Sequence, residues 1–163
     1  MLIDVQDKWA RDNPKTTAAI GEAVAKARTM GMPVYWVRMN LFSGMPRMAG
    51  ALLLAGKFND VAPEVRPLPE ECIISKPTTN AFTIPTTEMV LKWHDITNIV
   101  MAGFMRSKAC VFYSAVGARM SGFKVSVIPE LTANYADQPF DRRDEYDYQE
   151  ARIPLIKRAT LGL

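Results

Sequence analysis

The chain has 163 residues, of which 48% are hydrophobic and 23% charged, with a formal net charge of +3. That length suits one domain, 1–163, whose core needs neither disulfides nor metals, and the small, interspersed charge excludes the basic stripe of a nucleic-acid binder. No apolar run approaches membrane-spanning length, and Met1-Leu2-Ile3 meets Asp4 where a secretory leader would continue.

In chain order, residues 2–6 (Leu-Ile-Asp-Val-Gln) read as a first strand. Residues 14–30 carry an apolar face of Ala18, Ile20, Ala23, Val24 and Ala27 at helical spacing, and Gly31 ends that helix. Residues 33–38 form a second strand, apolar enough to be buried on both faces. Residues 40–70, rich in Gly, Pro and Met, predict a long excursion over the strand ends, with a short helix at 47–54. A third strand spans 72–75. Thr86 or Thr87 caps a helix running to Trp93, with Glu88 in its first turn. A fourth strand at 97–102, a helix at 110–120 and a fifth strand at 124–128 follow. Beyond Pro129 the chain turns polar and predicts a loop, then a last helix near 148–158. Strand and helix alternate throughout, which predicts a three-layer α/β/α sandwich on a mostly parallel, Rossmann-like sheet.

Three side chains with chemistry sit at strand ends: Asp4 in the first strand, Lys76 after the third, and Cys110 where the fourth strand gives way to a helix. In an open parallel sheet the carboxyl ends of the strands converge on one crevice. The grouping supplies a nucleophile in Cys110, a general base in Asp4 and a cation in Lys76 that lowers the thiol's pKa. A helix N-terminus adds to the same preference for thiolate. Taken singly, each residue has a bland role: a small buried cysteine, a turn-capping aspartate, a solvated lysine. Arg106 and Lys108 make the turn before Cys110 basic, which either favours an anionic substrate or faces solvent. Gln6, Trp36, Arg38, Phe42 and Phe82 are candidate walls for a substrate pocket, and Trp36 is equally a core residue. Cys72, among apolar neighbours in its strand, reads as core. Two cysteines fit a reducing, cytoplasmic location. The single histidine, His94, reads as a surface residue, and without Cys-x-x-Cys no metal or other cofactor is expected. No Gly-rich phosphate loop follows the first strand, which disfavours a flavodoxin-like cofactor binder.

The chain resembles the isochorismatase-like cysteine hydrolase family, in its metal-independent branch. Leu2-Ile3-Asp4-Val5-Gln6 is similar to that family's first-strand motif, Lys76-Pro-Thr-Thr-Asn-Ala-Phe82 to its lysine segment, and Ala102-Gly103-Phe-Met through Cys110-Val111 to its nucleophile turn. The resemblance implies a hydrolase of a small amide, ester or related C–N bond through a Cys110–Asp4–Lys76 triad. It places a non-proline cis peptide and an oxyanion donor in the turn around Phe104, Met105 and Arg106. It also implies a small-molecule substrate and a homo-oligomer, dimer or larger. The metal-dependent nicotinamidase branch needs an Asp-x-His pair and a further histidine, which one histidine cannot supply. The turn holds one residue more than the family's spacing between Gly103 and the cysteine, so an ungapped reading puts Ala109 in the nucleophile's place. That leaves an alternative open: a non-catalytic binding or assembly module on the same fold with a displaced nucleophile.

Overall fold

In the computed structural model, described over residues 1–40 and 61–163, five strands form one parallel sheet ordered β3-β2-β1-β4-β5. They are β1 (Leu2–Ile3), β2 (Tyr35–Met39), β3 (Cys72–Lys76), β4 (Asn98–Phe104) and β5 (Lys124–Ala133). The helices are α1 (Asp7–Asp12), α2 (Pro14–Thr29), α3 (Pro85–Trp93), α4 (Cys110–Met120) and α5 (Arg142–Glu150), with 3-10 turns at Pro63–Val65, Ala81–Thr83 and Arg158–Leu161. The excursion, its short helix at 47–54 and Phe42 lie largely or wholly outside the described residues.

Alternation along each strand sorts side chains into two cores, one per face of the sheet. Ile3, Val37 and Val127 point to one side and pack with Leu91 of α3, Val111 and Ala115 of α4 and Tyr148 of α5. Their chain neighbours Leu2, Trp36 and Ile128 point to the other and pack with Ala10 of α1 and Ile20 and Val24 of α2. A buried core on each side of a parallel sheet is the three-layer sandwich expected from the alternating pattern. The strands are buried on both faces, which is why they read as nearly continuous apolar runs.

Several boundaries differ from the sequence expectation, each for a local reason. The first strand is shorter because Asp4 turns into the left-handed region at φ 52°, and the six-residue α1 then begins at Asp7. Pro85, not a threonine, opens α3: its ring fixes φ and its missing N–H costs nothing in a first turn. Thr87 instead donates its hydroxyl to the Ala81 carbonyl at 2.5 Å. Pro129 does not end β5. The strand runs to Ala133 across a register shift, pairing Met101 with Val127 but Gly103 with Thr132, and the bulge accommodates a residue with no N–H to donate. The last helix lies at Arg142–Glu150 rather than 148–158. Asp141 caps it, accepting from the N–H groups of Arg143 and Asp144 in a capping box.

Gly103 is where the strands require glycine. It pairs with Ile3 at φ 118°, and a Cβ there would lie 2.0 Å from the Ile3 carbonyl oxygen. This close approach sets β4 against the end of β1, and so sets the nucleophile turn against Asp4.

At the other end of the sheet, Glu71 accepts from Arg28 Nε at 2.9 Å, Trp36 Nε1 at 2.6 Å and Leu68 N at 2.9 Å. Glu71→Ala would leave the wholly buried Trp36 without that acceptor, at an expected cost of about 1–3 kcal/mol in urea unfolding.

Candidate active site

The chemistry gathers where β1, β3 and β4 end. Asp4 is the first residue past β1, and its N–H donates to the Val37 carbonyl at 2.8 Å, which ties the turn to β2. Aspartate tolerates the left-handed backbone better than most side chains, so the conformation is affordable here. Lys76 is the last residue of β3, two strands away from β1. Its side chain crosses Met39, its register partner on β2, passes within 3.8 Å of that sulfur and reaches Asp4. The Nζ–Oδ2 distance is 2.8 Å, with the lysine side chain 0% exposed and the aspartate 2%. Nζ also donates to the Thr78 carbonyl at 3.1 Å.

Cys110 is the first residue of α4 and is buried, close enough to Asp4 and Lys76 for each to act on its ionisation. The remaining Asp4 oxygen, Oδ1, is buried and makes no hydrogen bond of normal geometry. A buried carboxylate held by an ammonium and within interaction range of a thiol is arranged to accept that thiol's proton.

The electrostatics correct one expectation. Burial, followed by the negative charge of Asp4, pushes the Cys110 thiol up to about 12, and Lys76 only partly opposes them. The lysine alone therefore does not bring the thiol below its ordinary value. Burial likewise raises the Asp4 carboxyl above its ordinary range, against the pull of Lys76. At neutral pH the thiol rests protonated.

Other expected site residues are placed differently. Gln6 is buried and spans the Met39 backbone, accepting from its N–H at 2.8 Å and donating to its carbonyl at 3.4 Å. It joins the ends of β1 and β2 and is not a pocket wall. Trp36 faces the α1–α2 layer and donates to Glu71 at the amino end of β3, away from Asp4. Phe82 packs on Phe123, with ring centroids 5.7 Å apart, alongside α4 rather than at its first turn. Arg38 donates to the Ser75 hydroxyl at 2.9 Å. Cys72 is half-buried on edge strand β3, less enclosed than a core residue.

The turn itself carries a cis peptide bond between Phe104 and Met105. The Phe104 side chain is wholly buried in the α1–α2 core, and the Met105 carbonyl accepts from the Val111 N–H at 2.9 Å. Arg106 neither meets substrate nor faces solvent. It is 1% exposed, and its Nε donates to Asp144 Oδ2 at 2.7 Å. The N–H groups of Arg106 and Ser107 both donate to Asn134 Oδ1, at 3.2 and 3.1 Å, so they are not oxyanion donors. Lys108 pairs with Asp147 at 3.0 Å. Lys108 takes φ 42° two residues before Cys110 starts the helix. Sequence reasoning missed Asn134 and Asp144; the second carried a signal as the partner of Asp141 in the capping box.

A cavity of about 600 Å³ lies elsewhere, between α1–α2 and residues 61–65. It contains none of the three chemical residues, so volume is a poor guide to the site here. No group of three or more His, Cys, Asp or Glu side chains suited to a metal occurs among the described residues. His94, at the opposite end of the sheet, shares a 2.6 Å hydrogen bond with the Tyr35 hydroxyl through Nδ1. No described helix is long and apolar enough to cross a membrane.

The fold is thus a parallel α/β sandwich with an acid, a lysine and a cysteine gathered at one end of its sheet. The Isochorismatase domain matches residues 1–144. An uncharacterized isochorismatase family protein, YrdC, of Bacillus subtilis (strain 168) is 29% identical over 99% of this chain and 85% of its own length. Among solved structures, an isochorismatase family protein from Desulfovibrio vulgaris superposes with a TM-score of 0.76 at 19% identity, covering 98% of this chain and 93% of that one. N-carbamoylsarcosine amidase from Thermoplasma acidophilum gives 0.73 at 16% identity, covering 96% and 94%. Pyrazinamidase of Pyrococcus horikoshii, in complex with zinc, gives 0.71 at 18% identity, covering 96% and 97%. The chain belongs to the isochorismatase family of hydrolases.

Proposed function

We propose that this protein is a metal-independent cysteine hydrolase of a small amide, ester or related C–N bond, with Cys110 as nucleophile, Asp4 as general base and Lys76 as the cation that holds Asp4. The observation that carries the reading is the buried 2.8 Å Lys76–Asp4 pair with the buried Cys110 thiol close enough to interact with both.

Cys110 Sγ attacks the carbonyl carbon while Asp4 takes the thiol proton, so the sulfur becomes a nucleophile only as the new bond forms. Backbone N–H groups at Met105 and at the start of α4, apart from that of Val111, which already donates to the Met105 carbonyl, receive the oxyanion. One such donor is worth about 3 kcal/mol in the transition state. Collapse expels the amine or alcohol, which leaves with the proton from Asp4, and Cys110 is left as a thioester. Water then attacks the thioester, Asp4 takes the water's proton, and the acid departs as that proton returns to the sulfur.

The alternative, a non-catalytic module with Ala109 in the nucleophile's place, drew on the extra residue in the turn. Cys110 as the first residue of α4, beside Asp4, favours the catalytic reading. A screen of small amides, ureas and acyl esters against wild type and Cys110→Ala tests it: turnover by wild type alone is expected, and turnover by both proteins would overturn it. A homo-oligomer, dimer or larger, belongs to the same proposal; light scattering should give at least twice the chain mass.

A further inference from the structure

The turn between β4 and α4 is held from outside, by the segment beyond Pro129. Three consecutive turn residues are each tied to residues 132–148. The Arg106 guanidinium donates to Asp144 Oδ2 at 2.7 Å and to the carbonyls of Thr132 at 3.2 Å, Gln138 at 2.7 Å and Pro139, and lies 5.2 Å from the Phe140 ring centroid. Its carbonyl accepts from the Tyr148 hydroxyl at 2.9 Å. The Ser107 hydroxyl donates to Asp144 Oδ1 and accepts from Asn134 Nδ2 at 2.6 Å. Both backbone N–H groups converge on Asn134 Oδ1. Asp144 is 3% exposed and joins Arg106, Ser107 and the cap of α5 in one network.

These contacts occupy the N–H groups of Arg106 and Ser107 in the middle of the turn. We propose that Asn134, Asp144 and Ser107 are positioning residues for hydrolysis, holding the 105–110 turn so that its remaining backbone donors face the oxyanion formed at Cys110. The inference rests on the cysteine-hydrolase reading above. Its physical basis is that a donor aimed at a developing charge loses most of its worth when displaced by a fraction of an ångström. No group in the network has to touch the substrate.

The test compares two reactions of the same sulfur. Acylation by p-nitrophenyl acetate forms a tetrahedral oxyanion: the Cys110–carbonyl bond forms, p-nitrophenolate departs and Asp4 takes the thiol proton. Alkylation by iodoacetamide displaces iodide directly and forms no oxyanion. Cys110 modification is followed by mass spectrometry with each reagent in wild type, Ser107→Ala and Asp144→Asn, with folding checked by near-UV circular dichroism. Ser107→Ala leaves the Arg106–Asp144 ion pair in place, so the test survives if Asp144→Asn does not fold. A ~10- to 100-fold loss in acylation, with alkylation within about twofold of wild type, is expected for either folded variant. Equal losses in both reactions, loss in alkylation alone, or no loss in either would overturn the positioning role. A wild-type Cys110 that reacts no faster than Cys72 with either reagent would instead overturn the cysteine-hydrolase reading, and the inference with it.

Discussion

Replacing Asp4 with asparagine should lower kcat by ~10²- to 10⁴-fold while leaving the fold intact. Asparagine keeps the shape of the carboxylate and can still accept from Lys76, but it cannot take a proton from a thiol held at about 12. Wild type should show an acid limb in kcat/KM above the ordinary carboxylate range, because burial raises the Asp4 carboxyl against the pull of Lys76. The sign follows from the base's role: as pH falls through that raised value, Asp4 takes up a proton and can no longer accept one from Cys110. Asp4→Asn should remove the limb, and Lys76→Met should shift it to higher pH, since the buried carboxylate then loses its countercharge. Steady-state rates across pH 4–9 check all three. A limb that persists in Asp4→Asn would assign the base elsewhere.

The gathering of Asp4, Lys76 and Cys110 at one end of the sheet was legible because parallel sheets bring strand carboxyl ends together whatever the loops between them do. Asp4, Lys76 and Cys110 each sit at such an end, and the only further requirement was a side chain long enough to cross β2, which lysine has. The pocket walls were not legible. Gln6 and Trp36 lie close to Asp4 and Lys76 in sequence or register. Yet Gln6 spends its amide on the Met39 backbone, and alternation turns Trp36 to the opposite layer from Val37. Phe82 follows Lys76 closely, but the 3-10 turn at Ala81–Thr83 carries its ring along α4 to Phe123. Arg106 was misread for a different reason. Its partners lie 26–38 positions away in sequence, and no local pattern separates an arginine that closes a tertiary network from one facing solvent. The charged run 141–147 looked like a loop because charge hides an amphipathic period, although Asp141 and Asp144 carried the cap. Pro129 read as a stop because a proline ends most strands; a bulge is the exception that sequence alone does not show.

Arg106→Met should destabilise the protein by about 3–5 kcal/mol, among the largest effects available to a substitution outside the triad. The guanidinium is 1% exposed, and its loss leaves the Asp144 carboxylate buried without its cation while the carbonyls of Thr132, Gln138 and Pro139 lose a donor. The cost arises from stranding partners rather than from breaking one favourable pair, so methionine's comparable volume does not recover it. Arg106→Lys should recover only part, because a single ammonium cannot present a planar fork to a carboxylate and several carbonyls at once. For a chain of this length the loss corresponds to a fall in Tm of roughly 10 °C, measurable by differential scanning calorimetry. Lys108 provides the contrast one turn residue away. It also pairs with an acid, Asp147, but its side chain is 55% exposed, so Lys108→Met should change stability by no more than about 0.5 kcal/mol. A small effect at Arg106 would mean that residues 132–148 hold their place without it, and the turn before Cys110 would then owe its geometry to the contacts of Asn134, Tyr148 and Asp144 with its backbone and Ser107.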